Sequence, residues 1–436
     1  MSGGDKSHAK FAKSAKEVGR GVLDAPQRDD ISRRDAEAQS YWFGDVPEGW
    51  VVKRLASYFS ERKVKVSDKD FPPLSVTKNG ILPQLENVAK TDDGDNRKLV
   101  RKGDFVINSR SDRKGSSGVS EYDGSVSLIN LVLQPRGGLF GTYCNYLLKS
   151  LSFVEENYRN GRGIVADLWT TRYDEMKMIK VAMPPLPEQK EIVAYLDAET
   201  GRIDKAIAAE EKMIALLQER REIVINEAVG GGDDFNAETQ RRRGWEERRF
   251  GWIMSIKPSI SAPHEELLSV FLHKGVIRFT EESEKRTNVT STDLSKYQLV
   301  EPGDFVMNNQ QAWRGSVGVS QYRGIVSPAY FVMRLANCLK PDFANYLLRS
   351  RSVVSIFERC SRGVGTIQRN LIWDMLKVCR IAFPPLAEQE EIVKRLDAET
   401  GKIDLAIEVK RRQIELLRER RQIVIDEAVT GKVKVA

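Results

Sequence analysis

The sequence predicts an α+β protein: two globular α/β lobes separated by two long helices packed as an antiparallel coiled coil, with pseudo-two-fold internal symmetry. Three observations predict it. The second half of the chain repeats the first at an offset of 200 residues. Each half carries short β-branched runs broken by Gly, Asn and Asp, the signature of an irregular sheet. Each half then ends in a stretch whose apolar residues recur every three or four positions, the signature of an amphipathic helix.

The repeat is the strongest signal. Pro184-Pro185-Leu186-Pro187-Glu188-Gln189 returns as Pro384-Pro385-Leu386-Ala387-Glu388-Gln389, and Leu196-Asp197-Ala198-Glu199-Thr200-Gly201 returns as Leu396-Asp397-Ala398-Glu399-Thr400-Gly401. Roughly two thirds of the positions in these stretches are identical. The preceding segments match only at anchors. Gly103-Asp104-Phe105-Val106 corresponds to Gly303-Asp304-Phe305-Val306, Gly118-Val119-Ser120 to Gly318-Val319-Ser320, Asn145-Tyr146-Leu147-Leu148 to Asn345-Tyr346-Leu347-Leu348, and Gly49-Trp50 to Gly244-Trp245. The order is a variable lobe, a constant segment, a variable lobe and a constant segment. The expected divisions are a leader at 1–40, lobes at 41–183 and 244–383, helical spacers at 184–230 and 384–436, and a linker at 231–243 rich in Gly, Asp and Arg. The leader is polar and poor in large apolar side chains, so it is expected to form no core.

Each spacer follows a strand-like run (Ile179–Met183, Arg380–Phe383) and opens on Pro-Pro, which stops a strand and suits a first helical turn. The apolar seam runs Ile192, Leu196, Ile203, Ile207, Ile214, Leu217, Val224, Ala228, and again Ile392, Leu396, Ile403, Ile407, Ile414, Leu417, Val424, Ala428. Gly201 and Gly401 interrupt it, and a kink or break is expected there. A following helix of about 28 residues would span about 42 Å. Matching seams favour mutual antiparallel pairing, with separate packing of each helix on its own lobe as the alternative. Seam and partner-docking residues are expected at Glu188, Gln189, Leu196, Ile203, Ile207, Leu217, Glu388, Gln389, Leu396, Ile403, Ile407 and Leu417.

Composition excludes several classes. The net charge of +7 favours a polyanionic partner. Four cysteines without a CxxC pair, and three histidines, argue against disulfide frameworks and zinc sites. No metal ligand is expected. Nothing resembles a signal peptide or membrane span, so a cytoplasmic protein is expected. No G-x-x-x-x-G-K-[ST] or H-E-x-x-H motif occurs. Met183-Pro184-Pro185-Leu186 and Phe383-Pro384-Pro385-Leu386 echo an amine-methyltransferase motif. They lack its amide or carboxylate and its aromatic ring, so they read as helix starts. Glu210-Glu211-Lys212 reads as a solvated helix face. No catalytic residue is assigned.

The loops carry the candidate chemistry. After Asn108 come Ser109, Arg110, Ser111, Asp112, Arg113, Lys114, Gly115 and Ser116; the equivalent loop after Asn308 has Asn309, Gln310, Gln311, Trp313 and Arg314. A second loop contains Lys78 and Asn79, facing His273 and Lys274 in the repeat. Such donors and acceptors hold phosphates and read base edges. Ser109, Arg110, Arg113, Lys114, Ser116, Lys78, Asn79, His273, Lys274, Asn309, Gln310, Gln311, Trp313 and Arg314 are therefore the expected DNA contacts. Single arginines here read equally as solvated charges, and Trp313 taken alone reads more readily as a core residue than as a contact.

With these motifs in place, residues 41–436 resemble the specificity subunits of type I restriction–modification enzymes. That family alternates two variable target-recognition domains with helical regions opening PPLxEQxxIVxxLDxxTxxID. The resemblance implies a non-catalytic subunit binding double-stranded DNA, each recognition domain reading half of a split target while the helices set the gap. It implies docking of two methyltransferase subunits, which bring S-adenosylmethionine, and of restriction/translocase subunits in the full complex. No cofactor is expected on this chain. A scaffold holding two protein-binding lobes is the alternative, and a self-contained enzyme comes behind it.

Overall fold

The computed structural model describes residues 41–84, 94–110, 113–163, 169–230, 244–272, 274–281, 293–363 and 369–435. The expected leader and linker, Ser111, Asp112 and His273 lie outside these. The α+β class holds. Two compact units form, one from residues 1–206 and 416–436 and one from 207–415. Each therefore contains a lobe, the start of the helix that leaves it, and the end of the other long helix.

In the first unit the strands are β1 (Val51–Arg54), β2 (Phe59–Glu61), β3 (Lys65–Val66), β4 (Leu74–Thr77), β5 (Gly80–Pro83), β6 (Arg97–Val100), β7 (Phe105–Asn108), β8 (Ser117–Val119), β9 (Gly124–Val126) and β10 (Asn130–Pro135). Helices α1 (Gly141–Lys149), α2 (Leu151–Arg159) and α3 (Tyr173–Met176) follow, then β11 (Lys180–Met183) and the long α4 (Leu186–Ala228). One antiparallel sheet runs β2-β10-β7-β8, and a second runs β3-β6-β9. Strand β1 pairs β11, Val51 opposite Met183, so the lobe closes on the strand that feeds the helix. The β7 register, Phe105 opposite Val119 and Leu133, buries Phe105, Val106 and Ile107.

The second unit repeats this plan. Its strands are β12 (Glu246–Arg249), β13 (Met254–Ile256), β14 (Leu268–Phe271), β15 (Gly275–Arg278), β16 (Gln298–Val300), β17 (Phe305–Asn308), β18 (Val317–Val319), β19 (Gly324–Val326) and β20 (Tyr330–Leu335), with α5 (Phe250–Ile253) between the first two. Then come α6 (Pro341–Leu348), α7 (Arg351–Arg359), β21 (Ser361–Arg362), β22 (Asn370–Leu371), α8 (Trp373–Leu376), β23 (Arg380–Phe383) and α9 (Leu386–Val429). The sheet β13-β20-β17-β18 matches its counterpart in the first unit.

The repeated Gly-Asp-Phe-Val has a local cause. Gly103 (φ 92°) and Gly303 (φ 91°) turn the chain in the left-handed region that glycine tolerates. The next aspartate closes that turn. Asp104 accepts the Arg101 N–H (2.9 Å) and the Arg62 guanidinium (2.7 and 3.0 Å). Asp304 accepts the Glu301 N–H (2.8 Å) and the Lys257 ammonium (2.7 Å).

The long helices do not break. Helix α4 is continuous over 43 residues and α9 over 44, through Gly201 and Gly401. One interior glycine costs only about 1 kcal/mol relative to alanine. The neighbouring turn is held by Thr200, whose hydroxyl donates to the Leu196 carbonyl (2.6 Å), and by buried Leu196 and Ile203. Thr400 and Leu396 repeat the arrangement (2.7 Å).

Within each unit the two helices run antiparallel. In the first, Asp204 pairs with Arg421 (3.0 Å), while Ile192 and Leu196 share a core with Ile425, Ala428 and Val429. In the second, Glu210 pairs with Lys410 (3.0 Å) and Asp404 with Arg221 (2.9 Å), while Ile392 and Leu396 share a core with Ala228 and Val229. Ile203, Ile403, Ile407 and Ile414 are buried; Ile207, Leu217 and Leu417 are half-buried.

The glutamines of the two Glu-Gln pairs correct the expectation of partner docking. Gln189 and Gln389 are 1% and 0% exposed. The Gln189 carboxamide donates to the carbonyls of Pro184 (2.9 Å) and Gly138 (3.3 Å) and accepts the Phe140 N–H (2.9 Å). Gln389 does the same with Pro384 (2.8 Å), Cys338 (2.8 Å) and Lys340 (2.9 Å). Glu188 accepts the Trp50 indole N–H (2.8 Å) and Glu388 that of Trp245 (3.1 Å). These side chains fasten each helix to its own lobe, because a helix start beside a buried loop leaves orphan backbone groups needing partners. Leu196 and Leu396 also belong to lobe cores as well as to the helix contact.

Candidate nucleic-acid interface

Strands β7 and β8 present the first loop. Ser109 donates to the Ile129 carbonyl (2.5 Å), Arg110 N–H is accepted by the Asn108 side chain (3.1 Å), and Ser116 N–H closes on the Arg113 carbonyl (2.9 Å). Arg110 and Arg113 are exposed, and Lys114 is partly exposed. Ser116 is only 5% exposed, so it braces the loop from inside and presents no side chain to a duplex; this corrects its place among the contacts.

The second lobe builds its loop differently on the same frame. Residues Ala312–Arg314 form a 3-10 turn ended by Gly315 at φ 94°. Ala312 is buried, and the Trp313 indole donates to the Gln310 carbonyl (3.1 Å). Trp313 is not a core residue. It is partly exposed, with the guanidinium groups of Arg314 and Arg369 at 5.2 and 4.7 Å from its ring. Gln310 is exposed, Asn309 and Gln311 partly so. The side-chain oxygen of Asn309 is buried without a hydrogen-bond partner among the described residues.

The second candidate loop joins the first. Lys78 and Asn79 form the exposed two-residue turn of the β4–β5 hairpin. That hairpin crosses β8 so closely that a Cβ on Gly118 would lie 3.1 Å from Gly80 Cα. In the second lobe a Cβ on Gly318 would lie 3.0 Å from Gly275 Cα. Glycine fits where two backbones approach this closely, and any Cβ would press on the neighbouring strand. Lys274 is exposed, 6.0 Å from the Phe271 ring centroid.

Residues missed from sequence complete each surface. In the first lobe, the chain after α2 returns to the loop: Arg110 bridges Thr170, Trp169 donates to the Tyr158 carbonyl (2.7 Å), and Arg162 pairs with Glu175 (3.0 Å). In the second, Leu371 N–H is accepted by the Asn309 carbonyl (3.2 Å), which places Arg369 beside Trp313. The available signal was positional: Trp169 and Arg369 occupy equivalent places in the repeat.

Among the described residues no three His, Cys, Asp or Glu side chains gather in a metal-holding group, and no helix is long and apolar enough to cross a membrane. Each lobe thus offers one polar, cationic loop cluster on a shared frame, with different reading groups.

Residues 244–416 match the family model described as the type I restriction modification DNA specificity domain. The EcoKI specificity subunit of Escherichia coli (strain K12) is 24% identical over 403 residues, covering 81% of this chain and 82% of that protein. Residues 244–416 therefore carry a type I restriction modification DNA specificity domain, and the chain as a whole is similar to type I specificity subunits. A putative MjaX specificity subunit from Methanocaldococcus jannaschii is 23% identical, covering 90% of this chain and 95% of that one. A solved chain from work on complex assembly and conformational transition of the type I R–M system has a TM-score of 0.60 at 16% identity, covering 89% of this chain and 100% of that chain. That likeness shows that this chain shares its fold.

Proposed function

We propose that this chain is the non-catalytic DNA-reading subunit of a type I restriction–modification enzyme, each lobe reading one half of a bipartite target. The observation that carries the reading is the paired loops: frames at Gly103–Asn108 and Gly303–Asn308 that differ only at Ile107 and Met307 hold an Arg/Lys/Ser cluster in one lobe and an Asn/Gln/Trp/Arg cluster in the other. Two half-sites of different sequence need one scaffold with two reading surfaces.

The antiparallel helices fix the unread gap and dock two methyltransferase subunits. Met213, Leu216, Ile223, Leu405, Leu416 and Ile423 support this, because each is 45% or more exposed on helices otherwise rich in charge. The methyltransferase subunits bring S-adenosylmethionine, and restriction/translocase subunits complete the nuclease.

Methylome sequencing of a host with and without this chain tests the reading. One split motif loses methylation when the chain is deleted. If every methylated motif survives deletion, the reading fails.

A further inference from the structure

Both lobes hold a candidate reading cation in the same chemical setting, built from different positions. In the first lobe the Lys114 ammonium lies 2.7 and 2.8 Å from the two carboxylate oxygens of Glu155 and 4.4 Å from the Tyr158 ring centroid. Trp169 packs against Tyr158 at 5.9 Å. In the second lobe the Arg369 guanidinium lies 4.7 Å from the Trp313 ring and 3.2 Å from the Glu358 carboxylate. The carboxylates project from corresponding helices, α2 and α7, but not from corresponding residues. The repeat places Ser355 opposite Glu155, and Tyr158 opposite Glu358. The clamp is therefore not a relic of one duplicated side chain. Each surface carries its own cation, ring and carboxylate.

A free cation on a DNA-facing loop binds every phosphate alike. A cation already neutralised by a carboxylate has little left for a phosphate, yet keeps directional donors. Lys114 has three N–H groups and Arg369 five, and neither carboxylate takes them all. Such a group favours base edges, where donor geometry counts, over backbone, where net charge counts.

Resting on the DNA-reading function proposed above, we propose that Glu155 and Glu358 are specificity-determining positioning residues, clamping Lys114 and Arg369 so that these cations read bases and are withheld from random phosphates. The pairs are partly exposed, with side-chain accessibilities of 36% and 44% in the first lobe and 29% and 52% in the second. Exposed pairs of this kind correspond to effects up to about fivefold.

The test compares full-length wild type with Glu155→Gln and Glu358→Gln, binding a cognate and a random duplex across a salt series. Each variant gains up to about fivefold in random-duplex affinity. Its log K against log salt slope steepens by up to about 0.9 per released cation. Cognate affinity stays level or falls, so the cognate-to-random ratio drops. Lys114→Ala added to Glu155→Gln removes that gain. Glu121→Gln removes the same charge from a surface pair with Lys102 (3.3 Å) and leaves ratio and slope unchanged.

If the glutamine variants keep the wild-type ratio and slope, or if Glu121→Gln reproduces their effect, the clamp idea is overturned. A wild type that binds both duplexes equally overturns the DNA-reading function itself, which separates the two failures.

Discussion

Asp426, near the end of α9, accepts hydrogen bonds from both the backbone N–H (2.9 Å) and the hydroxyl (2.5 Å) of Ser152, at the start of α2 and 274 residues earlier in the chain. The last turns of the second long helix thus cap a short helix of the first lobe. In the second unit Asn226 accepts the Arg351 N–H (2.8 Å), with Glu222 pairing to the same arginine (2.6 Å). A helix N-terminus has orphan N–H groups and a positive dipole end, which makes a carboxylate or amide oxygen a fitting partner.

Replacing Asp426 by Ala removes a charged acceptor from two donors. Stability falls by about 2 kcal/mol in denaturant unfolding. Asp426→Asn retains most of it, since the equivalent position works as an amide. Equal losses for both variants would show that the carboxylate's charge, and not the geometry of an acceptor there, carries the effect.

Gln389→Ala strands one buried and two partly buried backbone groups, the carbonyls of Pro384 and Cys338 and the N–H of Lys340. Each buried unsatisfied group costs about 1–3 kcal/mol, so this change destabilises the second unit more than any single substitution at exposed Leu416. Urea midpoints of the two variants give the comparison.

Gly318→Ala drives a methyl group to 3.0 Å from Gly275 Cα and 3.1 Å from Val276 N. Backbone cannot step aside as a flexible side chain would. The substitution costs about 1–3 kcal/mol. It shifts the hairpin carrying Lys274, so recognition by the second lobe weakens while the other half-site is read normally. Binding to duplexes altered in one half at a time reports it.

Alkaline pH selectively loosens the second lobe. Burial alone would draw the Lys257 ammonium down, but hydrogen bonds to Asp304 (2.7 Å) and Glu301 (2.5 Å) outweigh it and hold Lys257 above the usual lysine value of 10.5. A folded value above the unfolded one means the contribution is complete below pH 10.5 and is lost as pH rises through the folded value. Lys257→Met flattens this alkaline decline. It also lowers stability at neutral pH by about 3 kcal/mol, because Asp304 is left buried without its cation. Melting curves between neutral and alkaline pH check both effects.

Arg110→Ala and Trp313→Ala act on different half-sites. Each weakens discrimination in one half of the bipartite target by about 1–3 kcal/mol and leaves the other unchanged. Equal loss in both halves for either variant would contradict one lobe reading one half.

Much of the fold was legible because duplication prints it twice. The strand runs around Phe105 and Phe305, the Pro-Pro helix starts, and the three-and-four apolar spacing all follow from local patterning. The loops at Ser109–Ser116 and Asn309–Arg314 were legible as polar, cationic insertions in a constant frame. The break expected at Gly201 and Gly401 was not found, because a local cost of about 1 kcal/mol is outweighed by packing along the helix. Gln189 and Gln389 were misread as docking residues, and the half-buried Glu188 and Glu388 bond to their own lobe. Their period suits a helix face, and nothing local says that the partners are the lobe's own Trp50, Phe140, Trp245 and Lys340. Ser116 was misread for the same reason, since burial is a property of the assembled sheet.

By itself the sequence determined the architecture of two unlike lobes on two like helices, because hydrophobic period and repetition are properties of the chain. Only the tertiary structure decided which side chains meet. The clamps on Lys114 and Arg369, the close passage of Gly318 over Gly275 and the bond from Ser152 to Asp426 join residues between 11 and 274 positions apart. Such contacts arise from the packing of whole elements, and neither spacing nor composition encodes them one residue at a time.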